Sequence, residues 1–276
     1  MIEIGYFEKF NIIFKDLIFI KNMKSINIGI LSAMPEEIGS TIDNLENVTL
    51  TEYGDLKIYY GKLKKKVTNY ESIYITLAWS GWGKVSAARA ITRILAGTNK
   101  IDLIIFTGVA GAANKSLKQW DIVIANEVIQ HDMDARPIFE KFVLPPLNKA
   151  KLKSDDFFMN WIFNSLKKSL INGKLTRFGN IKKGLIATGD SFISDEGVIN
   201  RLKDELPDLE AIEMEGGSVA QVAEQEGVPW IILRVISDSA DSDSEIDFDR
   251  FLKDYVLSSW KLIECFLQDI PKMPNN

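Results

Sequence analysis

Two stretches of this chain set carboxylates where apolar runs end: Ala211-Ile212-Glu213-Met214-Glu215-Gly216-Gly217 and Arg234-Val235-Ile236-Ser237-Asp238. A third acid, Glu37, follows the apolar run from Ile26 to Ala33, inside Met34-Pro35-Glu36-Glu37. Burying a carboxylate costs several kcal/mol unless it is paired or hydrogen-bonded, so acids in such places need a reason. In open parallel α/β sheets that reason is commonly a ligand, because substrates bind outside the carboxyl ends of the strands. Singly, each acid has a structural use: Glu37 and Glu215 can complement a helix N-terminus, and Asp238 can cap a loop. Together they outline an acid-lined pocket able to transfer protons.

Glycine segments accompany these acids. Gly81-Trp82-Gly83-Lys84 and Gly108-Val109-Ala110-Gly111 each follow an apolar run and allow backbone to approach a ligand closely. A dinucleotide fingerprint is the competing explanation. Gly81-x-Gly83-x-x-Ser86 lacks its third glycine, and the acid expected about 20 residues on, Asp102, begins a strand instead of ending one. There is no P-loop.

The elements that must position these residues alternate. Apolar runs at 26–33, 73–79, 101–107, 121–129, 184–188 and 228–236 read as strands, several of them buried on both faces. Residues 48–62 read as a hairpin turning at Tyr53-Gly54-Asp55. Helices are expected to open at Pro35-Glu36-Glu37 and to span 84–95, 155–170, 215–226 and 248–268. The stretch from His131 to Ala150 is irregular, with Pro137, Pro145 and Pro146. This alternation predicts an α/β fold: a single domain with a mixed, mainly parallel central sheet flanked by helices.

Composition narrows the function classes. The chain has 276 residues, 46% apolar, with a net charge of −5, which gives no footprint for nucleic-acid binding. The single histidine, His131, excludes a multi-histidine metal site and a serine–histidine–aspartate triad built elsewhere; it reads as a loop anchor. The single cysteine, Cys265, lies in an apolar helical pattern and reads as a core thiol in a reducing cytoplasm. Residues 1–24 are aromatic and aliphatic but broken by Glu3, Glu8, Lys9, Lys15, Asp16 and Lys21, so neither a membrane span nor a signal peptide is expected. They read as an N-terminal extension, with Met23 an alternative start, ahead of a domain spanning 25–270.

The order Gly29-Ile30-Leu31-Ser32-Ala33-Met34-Pro35-Glu36-Glu37, Ser80-Gly81-Trp82-Gly83-Lys84-Val85 and Thr107-Gly108-Val109-Ala110-Gly111 resembles the nucleoside phosphorylase/hydrolase superfamily. With His131-Asp132-Met133-Asp134, Thr188-Gly189-Asp190-Ser191-Phe192-Ile193, Ala211-Ile212-Glu213-Met214-Glu215 and Ser237-Asp238-Ser239-Ala240-Asp241, it is similar to the 5′-methylthioadenosine/S-adenosylhomocysteine nucleosidases. The resemblance covers nearly everything but the extension.

It implies cleavage of an N-glycosidic bond by water, without a cofactor. Asp238 would be the general acid at the purine N7, steadied by Ser237, and burial would raise its pKa to keep it protonated. Glu37 would be the base that activates water. Glu215 would grip the ribose hydroxyls while the ring takes on oxocarbenium character. Met34 and Met214 would contact the sugar, and Phe192 would stack on adenine with Ile193 backbone groups at its edge. Phe248 would wall the 5′-thio group, and Arg234 would lie near the attacking water. Glu213 is left a structural role. The 131–150 stretch corresponds to a part lent to a neighbouring subunit's site, so a homodimer is implied, with no nucleic-acid or membrane partner.

Three residues depart from the family pattern: Val109 replaces a serine, Pro35 a charged residue and Trp82 a smaller aliphatic that would leave the pocket wider. Alternatives are a futalosine-type hydrolase, a phosphorylase of the same fold, or a non-catalytic nucleoside-binding protein. A phosphorylase needs a strong anion site, whereas the glycine loops have only Lys84 close by.

Overall fold

The computed structural model describes residues 25–65, 67, 69–238 and 244–273, without the side chains of 244–247. The extension 1–24 and the Ser239-Ala240-Asp241 end of the last motif lie outside the described residues. The strands are Ile26–Ser32 (β1), Leu45–Tyr53 (β2), Leu56–Leu63 (β3), Ile73–Trp79 (β4), Leu103–Ala112 (β5), Ile122–Gln130 (β6), Lys151–Lys153 (β7), Ile181–Thr188 (β8), Leu209–Glu213 (β9) and Trp230–Asp238 (β10). The helices are Lys84–Leu95 (α1), Asp156–Ile171 (α2), Glu196–Glu205 (α3), Gly216–Gln225 (α4), Ser244–Tyr255 (α5) and Ser259–Gln268 (α6).

All these strands join one mixed sheet, in the order β10-β6-β8-β9-β5-β1-β4-β3-β2, with β7 on β6. The central pairs β4–β1, β1–β5 and β5–β10 are parallel, as are β6–β8 and β8–β9; antiparallel pairs join the two groups and build the margin. Because β5 also pairs with β10, the strands β5, β10, β6, β8 and β9 close on themselves. One edge of β5 follows β10 from Ile104 to Gly111, while the other pairs first with β1 and then, at Gly111 and Ala112, with β9. The carboxyl ends of β1, β8, β9 and β10 are thereby gathered beside the distal half of β5.

Helices cover both faces. Ala87, Ala90, Ile91 and Ile94 of α1 and Val219, Ala220 and Ala223 of α4 pack with Ile104, Phe106 and Ile232. Phe158, Trp161 and Ile162 of α2, Phe251 and Tyr255 of α5, and Leu262 and Phe266 of α6 pack with Ile28, Ile105 and Leu233. Cys265 is buried in that second cluster. No helix among the described residues is long and apolar enough to cross a membrane.

Three local expectations need correction, and one helix was not anticipated. Pro35–Glu37 forms a 3-10 turn followed by a second 3-10 segment, Gly39–Asn44, instead of an α-helix, with Gly39 at φ +46° where a Cβ would meet Val256 and Ser259. The strand expected at 101–107 runs on to Ala112, since Gly108 to Gly111 pair with β10 and Gly111 and Ala112 with β9. The C-terminal helix is two helices, broken at 256–258, which lets α6 pack Phe266 edge-on against Trp161 of α2. Helix α3, capped by Asp195 accepting from the Val198 amide at 2.8 Å, carries no expectation from the sequence reading.

Candidate active site

Glu37 is placed by backbone. The turn after β1 folds its carboxylate back so that Oε2 accepts from the Ala33 and Met34 amides at 2.7 and 2.9 Å, and Oε1 from the Val109 amide at 2.9 Å. Glycine at 108 makes room: a Cβ there would stand 2.4 Å from Glu37 Oε1. Burial pushes the Glu37 carboxyl above the ordinary glutamate range, while Arg234 and the three amides pull it back. Val109, at the family's serine position, thus serves Glu37 through its amide and lends the cavity an apolar wall.

A break in strand register places Asp238. Ile236 pairs with Ala110 and Asp238 with the next residue, Gly111, so Ser237 is an extra residue in β10. Strict alternation would send Ser237 and Asp238 to opposite faces. The bulge lets both line one cavity. The Ser237 hydroxyl donates to Asp238 Oδ2 at 2.6 Å.

Behind the cavity lies a buried charge cluster. Arg234, 1% exposed, pairs through its guanidinium with Glu213 Oε2 at 2.5 Å and lies 4.2 Å over the Phe106 ring. Glu213 also accepts from the Thr188 hydroxyl and from the Glu215 and Gly216 amides at 3.1 and 2.7 Å. Burial works against the Arg234 charge, but Glu213, Glu37 and Glu215 outweigh it and raise its pKa. Glu215, held at Oε1 by the Gly83 amide at 2.8 Å, is pushed up to about 8 by burial and by neighbouring Glu213. Arg234, expected beside the attacking water, does not line the cavity but sits behind it, because β10 alternation turns its side chain to Glu213.

The cavity encloses about 600 Å³ including its open mouth. Met34, Glu37, Val109, Phe192, Ile193, Met214, Glu215, Ser237, Asp238 and Phe248 all line it, although they come from separate segments. Phe248 packs edge-on against both Phe192 and Trp82, with centroids 6.1 and 6.3 Å away. The sequence reading left two participants aside. Glu213 lines the cavity as well as pairing with Arg234, and the Thr188 hydroxyl, which also accepts from the Gly217 amide at 2.7 Å, locks β8 to α4. His131 anchors its loop by its backbone amide to Thr188 O at 2.9 Å, while its ring Nε2 is buried without a hydrogen-bond partner. Among the described residues no cluster of His, Cys, Asp or Glu is arranged to hold a metal.

Two outcomes follow from these contacts. The folded pKa of Glu215 lies above its unfolded value near 4.5, so the protonated group stabilises the fold fully below that pH and the contribution is lost as pH rises to about 8. Denaturant unfolding of ligand-free protein will show stability falling across that window, and Glu215→Gln will flatten the fall. Gly108→Ala will displace Glu37 by steric conflict and lower turnover by roughly 10²-fold, with cooperative thermal unfolding retained.

The family model described as the phosphorylase superfamily matches residues 27–267. The 5′-methylthioadenosine/S-adenosylhomocysteine nucleosidase of Anoxybacillus flavithermus is 33% identical over 90% of this chain and 100% of its own length. That of Staphylococcus haemolyticus is 34% identical over 87% and 99%. The crystal structure of the Neisseria meningitidis nucleosidase with methylthio-immucillin-A superposes with a TM-score of 0.78 at 30% identity, covering 88% of this chain and 99% of that one. Futalosine hydrolase of Helicobacter pylori superposes at 0.76 with 28% identity, covering 89% and 98%. By sequence and by fold, this chain belongs to the phosphorylase superfamily and, within it, to the 5′-methylthioadenosine/S-adenosylhomocysteine nucleosidases.

Proposed function

We propose that the chain hydrolyses the N-glycosidic bond of 5′-methylthioadenosine and S-adenosylhomocysteine, releasing adenine and the 5-thioribose product. The carrying observation is that Glu37 and Asp238, from opposite ends of the sequence, line one cavity with Glu215 and, among the described residues, no lysine or arginine. Asp238 donates a proton to the purine N7 as the bond breaks, with Ser237 fixing the carboxyl. Glu37, poised nearer neutrality than a free glutamate, takes the proton of the attacking water. Glu215 holds the ribose hydroxyls, Met34 and Met214 pack on the sugar, Phe192 stacks on the base, and Ile193 reads its edge. Phe248 and Trp82 wall the 5′ substituent, and Arg234 acts from behind by balancing Glu37 and Glu215.

A phosphorylase is disfavoured on charge. Lys84, which follows the glycine segment 81–83, already holds Asp132 at 2.7 Å and Asp190 at 3.7 Å. A second reading, hydrolysis of a futalosine-type nucleoside, uses the same chemistry on another 5′ substituent and is favoured by the Helicobacter pylori neighbour. The nucleosidase unit is taken as 25–270, working in the cytoplasm without a cofactor. It acts as a homodimer whose 131–150 loop reaches the neighbouring site; Ile138 on that loop, 83% exposed, and Val85, 82% exposed, support that assembly.

Adenine release from methylthioadenosine will proceed equally with and without phosphate; strict phosphate dependence rejects the hydrolase. Asp238→Asn and Glu37→Gln will each lower kcat by about 10²–10⁴-fold. Asp238→Asn still binds nucleoside, as read by calorimetry. Faster turnover of a 5′-aryl ketone analogue than of methylthioadenosine selects the futalosine-type reading.

A further inference from the structure

The loop carrying Phe192 and Ile193 runs from Thr188 at the end of β8 to Asp195 at the start of α3. Among the described residues, no backbone amide of Ser191, Phe192 or Ile193 donates a hydrogen bond within the protein. The loop's amide hydrogen bonds lie immediately before that span. The Gly189 amide donates to Glu213 O at 3.1 Å, and the Asp190 amide to Asp132 Oδ2 at 3.0 Å. Asp190 Oδ1 accepts from the Lys84 amide at 2.8 Å. The Lys84 ammonium spans both carboxylates, 2.7 Å from Asp132 Oδ1 and 3.7 Å from Asp190 Oδ2. The His131 ring packs beneath Gly189, where a Cβ would meet Nε2 at 2.2 Å.

The beginning of α1 therefore holds two parts of the cavity at once. The Gly83 amide fixes Glu215 on the sugar side, and the next residue, Lys84, fixes the base-side loop. We infer that Lys84, acting through Asp132 and Asp190, is a positioning residue that sets the seat of Phe192 and Ile193 and so the affinity for the purine half of the substrate. It does this without touching the substrate. Isolated exposed ion pairs are worth little. Here one ammonium, with its side chain 20% exposed, separates two carboxylates that face each other from different loops. Removing the cation leaves the two carboxylates to repel each other at the end of the loop tied by the Gly189 and Asp190 amides.

The inference rests on the nucleosidase reading, in which Phe192 contacts adenine, and the test separates the two. In Lys84→Met, KM and the inhibition constant of free adenine will rise together by roughly five- to tenfold while kcat stays within about twofold. Lys84→Arg will restore both. Discrimination against a 3′-deoxy analogue will not change, because Glu215 is held by backbone. Unchanged KM and adenine inhibition, or a loss in kcat alone, overturns the inference. Amide hydrogen exchange over residues 189–193 of ligand-free protein is read in parallel. Faster exchange in Lys84→Met, reversed in Lys84→Arg, supports the clasp, and unchanged exchange overturns it even if the wild type releases no adenine. Absence of adenine release from the wild type, with faster exchange in the variant, sinks the substrate reading alone. Asp132→Asn, measured in the same way, takes the place of Lys84→Met if that variant does not fold.

Discussion

The guanidinium of Arg234 is the positive charge around which the interior end of the cavity is organised. It sits almost wholly out of solvent among Glu213, Glu37 and Glu215, one cation facing three carboxylates. Contact with Glu213 and the ring face of Phe106 keeps it charged there. Its field offsets part of the burial penalty of Glu37 and Glu215, leaving the first above the ordinary glutamate range and the second able to hold a proton. A buried ion pair of this kind adds little net stability, and its loss leaves uncompensated charge. Here its use is to let acids occupy an otherwise apolar cavity.

Around that charge, backbone geometry does most of the placing. Three amides receive Glu37, the Gly83 amide receives Glu215, and the Glu215 and Gly216 amides are themselves tied to Glu213. Side chains held by main-chain amides on paired strands and helix starts have little freedom to drift, which suits groups that must meet a ligand at hydrogen-bond distance. The extra residue at Ser237 serves the same end: it re-aims the end of β10 so that a hydroxyl and a carboxyl face the same space.

The strands at 26–32 and 73–79 and the helix at 84–95 were legible because buried strands read as unbroken apolar runs and α1 keeps a helical period. Glu37, Glu215 and Asp238 were legible as acids following such runs, each explicable singly and suggestive of a pocket only together. Less was legible where pairing overrides local signals. The glycine-rich stretch from Gly108 to Ala112 reads as lying past the end of a strand, yet pairing with β10 and β9 makes it strand. The break at 256–258 carries neither proline nor glycine, and it arises from where α6 must pack. Glu213 reads like its neighbour Glu215, and only the position of Arg234 on β10 assigns it a cation.

The sequence by itself determined the alternating α/β order, the presence of three displaced acids and the run of motifs that marks the family, because these are properties of residue type and spacing along the chain. The tertiary structure decided how each acid is held. Charges interact through space, so the division between Glu213 and Glu215, the retreat of Arg234 behind the cavity wall and the clasp of Lys84 on two distant aspartates follow from strand closure and register, which no local pattern encodes.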